Sequence, residues 1–170
     1  MKIAIIGYSG AGKSTLARKI SSYYHLPVIH LDAVHFLPGW EERDLPGKQQ
    51  IVMEFLGQNA NWVIDGNYSN LFFEQRMELA DKIIMLQFSP VACFFRAYKR
   101  YRMFRNRTRP DMAEGCREKF DWEFAKWILW GGRSKRAKAR YAAVAAKYPQ
   151  KVVILKNQKQ LQKYMDATFL

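Results

Sequence analysis

A glycine-rich stretch near the start of the chain has the residue types and spacing of a phosphate-binding loop. It runs Gly7-Tyr8-Ser9-Gly10-Ala11-Gly12-Lys13-Ser14-Thr15 and matches the pattern G-x-x-x-x-G-K-[ST] at every fixed position. In such a loop, backbone N–H groups surround phosphate oxygens, and the next helix adds the positive end of its dipole. Lys13 is expected to reach the β- and γ-phosphates, and the Ser14 hydroxyl to ligate Mg²⁺. The residues predicted to bind ATP are Gly7, Ser9, Gly10, Ala11, Gly12, Lys13, Ser14 and Thr15.

The elements around this loop are those that its chemistry requires. The residues before it, Lys2–Ile6, are apolar and β-branched, as is typical of a buried parallel strand. After it, Leu16 and Ile20 recur at helical spacing. The sequence therefore places the glycine loop between a strand and the start of a helix.

Two aspartates follow two further short apolar segments. Asp32 ends the predicted strand Pro27–Leu31, and Asp65 follows Trp62–Ile64. Either residue could instead be a helix cap or a loop acid facing water. Asp65 is expected beside the phosphate loop, where a carboxylate can hold Mg²⁺ or its bound water. Asp32 is expected farther out, where it could accept a proton from the hydroxyl of a phosphoryl acceptor.

Strands and helices alternate along the whole chain, with two more strands predicted at Lys82–Phe88 and Lys151–Leu155 and a loop over 33–47. This alternation predicts one α/β domain over 1–170, in which a five-stranded parallel sheet lies between two helical layers. Ligands of such sheets bind outside the carboxyl ends of the strands. The loop, Asp32 and Asp65 should therefore lie along one edge.

Lys and Arg outnumber Asp and Glu by 28 to 15, which gives a net charge of +13. Such an excess implies an anionic partner, either nucleic acid or concentrated phosphates. The chain has no apolar run of about 18 residues, so no membrane span is expected. Its only cysteines, Cys93 and Cys116, lack the spacing of a zinc or disulfide framework. We expect a cytoplasmic protein without membrane contact.

A basic helix is predicted to begin at Pro90, with Ser89 as its N-cap. Its two predicted faces are an apolar one (Val91, Phe94, Tyr98 and Tyr101) and a basic one (Arg96, Lys99 and Arg100). A run of charge is commonly a solvated face, but phosphoryl transfer needs cations in a dry site. Arg96 and Arg100 are therefore candidates for neutralising the transferred phosphoryl group.

The basic helix leads into a segment over 106–120 that lacks clear periodicity, and we expect this segment to be polar, mobile and lid-like. Arg107 and Arg109 within it are weaker candidates for the phosphates. In a later basic stripe, Arg136 is the residue best placed to reach inward.

Two tryptophans and a histidine could either bind a ligand or serve the structure of the protein. Trp40 lies in a polar Pro-Gly loop and is a candidate for stacking on a base or sugar. Trp122 begins an apolar helix, and we expect it in the core. His30 falls within a strand and is expected to be structural.

Several of these features resemble the small nucleoside and nucleotide kinases, including adenylate kinase. Trp62-Val63-Ile64-Asp65-Gly66 is similar to that group's apolar-Asp-Gly strand end, and Arg96 and Arg100 resemble its paired arginines at the base of the lid. The resemblance implies a sheet ordered 2-3-1-4-5 and a short lid that closes over the phosphates. The N-K-x-D motif of GTPases is missing from the sequence.

A closer resemblance covers nearly the whole chain. The matching strings are His30-Leu31-Asp32, Pro38-Gly39-Trp40, Ile64-Asp65-Gly66-Asn67-Tyr68 and Arg107-Thr108-Arg109-Pro110-Asp111-Met112-Ala113-Glu114-Gly115-Cys116. They resemble FlaR-related proteins, a group labelled DNA topology modulation proteins and described as adenylate-kinase-like. Asn67-Tyr68 replaces the Phe-Pro-Arg of adenylate kinase, which indicates an acceptor other than AMP.

These observations support two functions of different classes. The first is an ATP-dependent phosphotransferase acting on a small acceptor, with Lys13, Asp32, Asp65, Arg96 and Arg100 as the catalytic residues. In this function Ser14 and Asp65 serve Mg²⁺, and Arg136 helps to bind the nucleotide. The second is a nucleic-acid-associated ATPase that influences DNA topology through its basic surface.

Overall fold

The five strands of the chain form one parallel sheet. A computed structural model describes residues 1–169. The strands are β1 (Lys2–Gly7), β2 (Val28–His30), β3 (Trp62–Asp65), β4 (Lys82–Leu86) and β5 (Val152–Leu155). All pairings are parallel, and the order is β2-β3-β1-β4-β5. Both the predicted fold class and the predicted strand order are confirmed.

Helices cover both faces of the sheet, and the central strand β1 shows why. Ile3 and Ile5 point into one apolar cluster, while Ala4 and Ile6 point into the other. Successive side chains of a strand alternate between the two faces, and a parallel sheet is stable only when both faces are buried. The helices that cover it are α1 (Lys13–Tyr24), α2 (Leu31–His35), α3 (Leu45–Gln58), α4 (Phe73–Leu79), α5 (Pro90–Met103), α6 (Trp122–Leu129), α7 (Lys135–Lys147) and α8 (Gln158–Thr168).

The region predicted as a loop over 33–47 is more ordered than expected. It includes most of the single-turn helix α2, because Leu31 and Val34, three residues apart, are both buried against the sheet. Helix α3 begins at Leu45, inside the predicted loop. The Asp44 side chain caps it by accepting from the Gly47 N–H at 3.1 Å.

Helix α5 begins as predicted, with Pro90 at its first turn and the Ser89 hydroxyl accepting from the Ala92 N–H. Its predicted apolar face is borne out in part: Phe94, Tyr98 and Tyr101 all pack around Phe120. It is wrong for Val91, which is 59% exposed, and Tyr98 stays 44% exposed. The buried positions are the small residues Cys93 and Ala97. Small side chains let the helix backbone approach the glycine loop closely, and this contact decides which face turns inward.

The assignment of Trp122 to the core is also wrong. This tryptophan is 65% exposed, and the Lys126 ammonium lies 5.3 Å from the centre of its ring. Helix α6 buries Ala125 and Ile128 instead. The helix ends at Leu129, before a short 3₁₀ turn at Gly131–Arg133.

The segment over 106–120 has no helix or strand, yet it is not a simple polar loop. Arg109, Asp111 and Glu118 within it are at most 8% exposed. Isolated bridges join Arg105 to Glu118 and Thr108 to Arg117, so the segment folds back on itself. Within residues 1–169, no helix is both long enough and apolar enough to cross a bilayer.

Candidate phosphoryl-transfer site

The glycine loop joins the carboxyl end of β1 to the first turn of α1. Gly10 has a φ of 78°, and a Cβ there would collide with the Cys93 carbonyl of α5. Only glycine allows both this left-handed backbone and this close approach. The first turn of α1 has no acidic residue, so the positive end of its dipole is not neutralised locally. The sequence thus folds into a cradle suited to an anion.

Lys13, the first residue of α1, folds back over the loop. Its Nζ donates to the Tyr8 carbonyl at 3.3 Å, and among the described residues it forms no ion pair. The ammonium charge is therefore available to a phosphate. Ser14 follows in the same turn, and both residues contribute to the wall of the adjoining cavity.

A cavity of about 910 Å³ extends from the glycine loop to the loop after α2. Of the predicted site residues, those that line it are Ser9, Gly10, Gly12, Lys13, Ser14, Thr15, Asp32, Arg96 and Arg100. The predicted residues outside the lining are Gly7, Ala11, Asp65 and Arg136. Seven Lys or Arg side chains and four Asp or Glu side chains line the cavity, so its walls carry an excess of positive charge.

Asp32 lies in α2 and lines the cavity on the side of Trp40 and Phe36. The Tyr68 hydroxyl donates to Asp32 Oδ1 at 2.8 Å. Burial raises the pKa of Tyr68, and the negative charge of Asp32 raises it further, so Tyr68 stays protonated and keeps donating. Tyr68 therefore holds the Asp32 carboxylate in one orientation, a role that its sequence position does not reveal.

A second contact fixes α2 against α3. Lys48 is only 2% exposed, and its Nζ donates to Glu42 Oε1 at 2.6 Å and to His35 Nδ1 at 3.1 Å. Burial lowers the pKa of His35, and the nearby Lys48 charge lowers it further. His35 is therefore neutral at pH 7, and its Nδ1 can accept a hydrogen bond from the Lys48 ammonium.

Asp65 ends β3 beside the glycine loop, as predicted, but its side chain is buried at 1% exposure. Its Oδ2 lies 2.7 Å from His30 Nδ1, a pair that joins the ends of β2 and β3. His30 therefore has a structural contact, and Asp65 lies behind the cavity wall.

Asn67 connects the end of β3 to the start of the glycine loop. Its Oδ1 accepts from the Gly7 N–H at 3.0 Å, and its Nδ2 donates to the Gly7 carbonyl at 2.7 Å. The side-chain amide thus continues the ladder that the Gly66 N–H makes with the Ile5 carbonyl. Gly66 is required before it, since a Cβ there would lie 2.7 Å from Leu31 Cβ.

Replacing Asn67 with alanine is expected to weaken ATP binding about tenfold, because Gly7 would lose both partners. A buried polar group left unpaired costs about 1–3 kcal/mol, and about 1.4 kcal/mol corresponds to tenfold. Isothermal titration of ATP into Asn67→Ala tests this, with Asn70→Ala as the control because Asn70 is exposed in the same loop. Equal ATP affinities for the two variants would contradict it.

The structure separates Arg96 and Arg100, which the sequence had grouped. The Arg96 guanidinium lies against the glycine loop, where a Cβ on Gly12 would collide with it, and 5.0 Å from the centre of the Phe88 ring. It also donates to Gln158 Oε1, and burial lowers its pKa. Arg100 Nε instead donates to Glu118 Oε1 at 2.7 Å. Arg96 is therefore the arginine beside the candidate phosphate site.

Arg100 belongs to a chain of alternating charges along the cavity wall. Glu118 also pairs with Arg109, which pairs in turn with Asp111, and Asp111 Oδ1 lies 3.7 Å from Arg18 Nη1 of α1. Arg109 Nε and Glu118 Oε2 face each other as charges without hydrogen-bond alignment. This ionic chain ties the 106–120 segment to α1 and α5.

The same segment is also tied to the loop after α2. Trp40 Nε1 donates to the Arg117 carbonyl at 2.9 Å, and the Lys119 ammonium lies 5.4 Å from the centre of the Trp40 ring. Cys116 Sγ donates to the Leu37 carbonyl at 3.2 Å. The segment therefore bridges two walls of the cavity.

Three other arginines do not line the cavity. Arg136 of α7 is exposed. Arg76 of α4 is fully buried and donates to the carbonyls of Leu71, Gly66 and Tyr68, which gives it a structural role. Arg133 lies over the Tyr8 ring at 3.8 Å and donates to the Phe88 carbonyl at 2.8 Å.

Trp127 is a residue of the site that the sequence analysis missed. Its Nε1 donates to Ser9 Oγ at 3.3 Å, and its indole lies against Gly131 and Gly132. A Cβ on Gly131 would lie 2.9 Å from the indole. The adjacent glycines were the available signal, because they leave room for a large ring to fold back.

The residues present fit a magnesium nucleotide better than a metal held by protein alone. Within residues 1–169, no group of three or more His, Cys, Asp or Glu side chains is arranged to hold a metal ion. Mg²⁺ at phosphate sites is commonly held by the phosphates and by one or two protein ligands. Ser14 at the loop supplies one such oxygen.

Comparison with solved structures identifies the fold class. Shikimate kinase from Bacteroides thetaiotaomicron superimposes with a TM-score of 0.52 and 20% identity, over 100% of this chain and 99% of that one. TT1252 from Thermus thermophilus superimposes with a TM-score of 0.48 and 16% identity, over 99% of this chain and 95% of that one. The chain thus has a kinase-like P-loop fold. No protein-family model and no curated protein matches it.

Proposed function

We propose that the chain is an ATP-dependent phosphotransferase of the nucleoside- and nucleotide-kinase-like class, acting on a small acceptor. The observation that carries this proposal is that the glycine loop and Asp32 line one cavity. A phosphate cradle at one end and a carboxylate at the other are what transfer from a triphosphate to a hydroxyl requires. The FlaR-related resemblance is compatible with this class and adds no reaction of its own.

Each residue has a separate task in this proposal. The glycine loop and Lys13 bind the triphosphate, and Arg96 neutralises charge that develops on the transferred group. Asp32, held by Tyr68, accepts the proton of the acceptor hydroxyl. A bound Mg²⁺ would neutralise phosphate charge, with Ser14 as its protein ligand and the negative charge of the buried Asp65 favouring the cation from behind the cavity wall. In this proposal the 106–120 segment, which bridges two walls of the cavity, limits access of water to the phosphates.

The charge of the chain favours a second candidate function, a nucleic-acid-associated ATPase that influences DNA topology. The net charge is +13, and Arg102, Arg105 and Arg107 are exposed near the end of α5. Such side chains could contact a phosphate backbone without contributing to the cavity. In this alternative, the rate of ATP hydrolysis would change when DNA binds, and Asp32 would have no acceptor hydroxyl to deprotonate.

Substituting the two aspartates tests the proposed division of roles. Asp32→Asn is expected to lower phosphoryl transfer about 10²-fold, within the range for general-base catalysis, with unchanged dependence on Mg²⁺. Asp65→Asn is expected to raise the Mg²⁺ concentration needed for half-maximal rate, with a smaller change in ATP binding. Rates measured across a Mg²⁺ titration separate the two outcomes, and identical profiles would refute the assignment.

A further inference from the structure

The indole N–H of Trp127 faces the glycine loop from a neighbouring helix. Trp127 belongs to α6, lines the cavity and is 52% exposed. Its Nε1 donates to Ser9 Oγ at 3.3 Å and to no other atom within residues 1–169. This distance is longer than is usual for an N–H donor, and a hydroxyl is a weaker acceptor than an anion. The indole can therefore exchange this bond for a stronger one to a phosphate oxygen.

The turn after α6 fixes the position of this indole. Gly132 leaves room for the ring, since a Cβ there would lie 3.1 Å from Trp127 Nε1. The next residue, Arg133, donates to the Phe88 carbonyl at 2.8 Å, and its guanidinium lies 3.8 Å from the centre of the Tyr8 ring in the glycine loop. The indole is therefore held beside the loop before any ligand binds, as a preorganised donor must be.

The Lys13 ammonium indicates which phosphates this donor would meet. Lys13 Nζ lies 3.3 Å from the Tyr8 carbonyl oxygen, and the same peptide group leads into Ser9. In a loop of this pattern, backbone N–H groups hold the α- and β-phosphates, and the lysine reaches the β- and γ-phosphates. Lys13 and Trp127 thus approach the same end of the loop, where the terminal phosphates of a nucleotide would lie.

The indole N–H differs from Lys13 in carrying no net charge. The charge of an ammonium attracts all the phosphates of a nucleotide, so Lys13 favours both ADP and ATP. A neutral donor contributes only to an acceptor within hydrogen-bond distance. A neutral donor beside the γ-phosphate therefore strengthens the binding of ATP and leaves the binding of ADP unchanged.

We propose that Trp127 recognises the γ-phosphate of ATP through its indole N–H and makes the protein bind ATP in preference to ADP. This inference rests on the donor site of the proposed function and adds to it the group that distinguishes the two nucleotides. When ATP binds, the indole exchanges the Ser9 hydroxyl for an oxygen of the γ-phosphate. When ADP occupies the site, the indole keeps its bond to Ser9.

The test measures the affinity of the purified protein for two nucleotides by isothermal titration in MgCl₂. They are ADP and the β,γ-imido analogue of ATP, which resists hydrolysis. Trp127→Phe keeps an aromatic ring and removes the N–H. It is expected to weaken binding of the ATP analogue about tenfold, or about 1.4 kcal/mol, and to leave ADP unchanged. The control is Trp122→Phe, since Trp122 lies in the same helix, is 65% exposed and does not line the cavity.

The other outcomes separate this inference from the proposed function. Equal changes for the two nucleotides, or no change for either, would overturn the inference and leave the kinase proposal standing. Tighter binding of the ATP analogue would also overturn it, because the indole would then obstruct the γ-phosphate. Failure of the unaltered protein to bind either nucleotide would overturn the donor site, and both proposals with it.

A second variant separates direct contact from an effect through Ser9. In a Ser9→Ala background, Trp127→Phe should still weaken binding of the ATP analogue about tenfold relative to ADP, because the N–H meets the phosphate itself. If the substitution has no effect in that background, the indole acts only by orienting the Ser9 hydroxyl, which contradicts the proposal.

Discussion

Lys13→Ala is expected to lower ATP turnover by about 10²- to 10³-fold while the protein stays folded. Lys13 lies in the first turn of α1, folds over the glycine loop and has no ion pair among the described residues. Its removal therefore takes a charge from the phosphate site without opening the core. Loss of one preorganised donor to developing negative charge commonly costs about this much.

The control for this variant is Lys19→Ala, since Lys19 lies in the same helix and is exposed. Steady-state turnover, with thermal unfolding as the measure of folding, compares the two variants. Wild-type turnover in a folded Lys13→Ala protein would show that the donor site lies elsewhere.

Arg96→Lys is expected to slow phosphoryl transfer on the order of 10³-fold with little change in ATP affinity. An arginine that neutralises transition-state charge is worth at least this much, and lysine lacks its planar fork. Arg100→Lys should cost only about tenfold, because the Arg100 guanidinium contacts Glu118 and not the loop. Single-turnover rates measure both effects.

The matched control is Arg102→Lys, an exposed position of α5. It should leave transfer unchanged. If Arg96→Lys and Arg102→Lys transfer equally fast, Arg96 is part of a solvated basic surface and not of the catalytic site.

Local pattern was enough to predict most of the fold. Apolar β-branched runs gave the strands of the sheet, and the resemblance to small kinases supplied the strand order that the structure confirms. The predicted ends of helices and strands were less accurate where burial of a side chain decides where the element begins or ends. Helix α2 forms in a predicted loop because Leu31 and Val34 both reach the core, a tertiary effect that local propensity does not contain.

The candidate site was predictable where one short motif defines it. The glycine loop and Asp32 line one cavity, as their positions after strands had indicated, whereas Asp65 is buried outside its lining. Arg96, predicted from its place in a basic helix, lines the same cavity. The ionic chain through Arg109, Asp111 and Glu118 was not predictable, because a charged residue shows its partner only after the chain has folded. The 106–120 segment was therefore expected to be polar, although Arg109, Asp111 and Glu118 within it are buried.

The buried face of α5 was only partly predictable for a similar reason. Hydrophobic periodicity favoured Val91, but the helix turns Cys93 toward the glycine loop because only small groups fit there. Close packing outweighs the hydrophobicity of larger side chains at such a contact. The role of Asn67 was not predictable either, because its side-chain amide takes the place of a backbone peptide beside Gly7 only in the folded chain.

The fate of the γ-phosphoryl group of ATP tests the central claim most directly. The protein is incubated with γ-labelled ATP and MgCl₂, once with a nucleoside mixture and once with duplex DNA, and the labelled products are separated. A phosphotransferase should place the label in an organic phosphate ester, at a rate that Lys13→Ala abolishes and DNA does not change. Label found only in inorganic phosphate, released faster when DNA is present, would contradict the kinase account and support the nucleic-acid-associated ATPase.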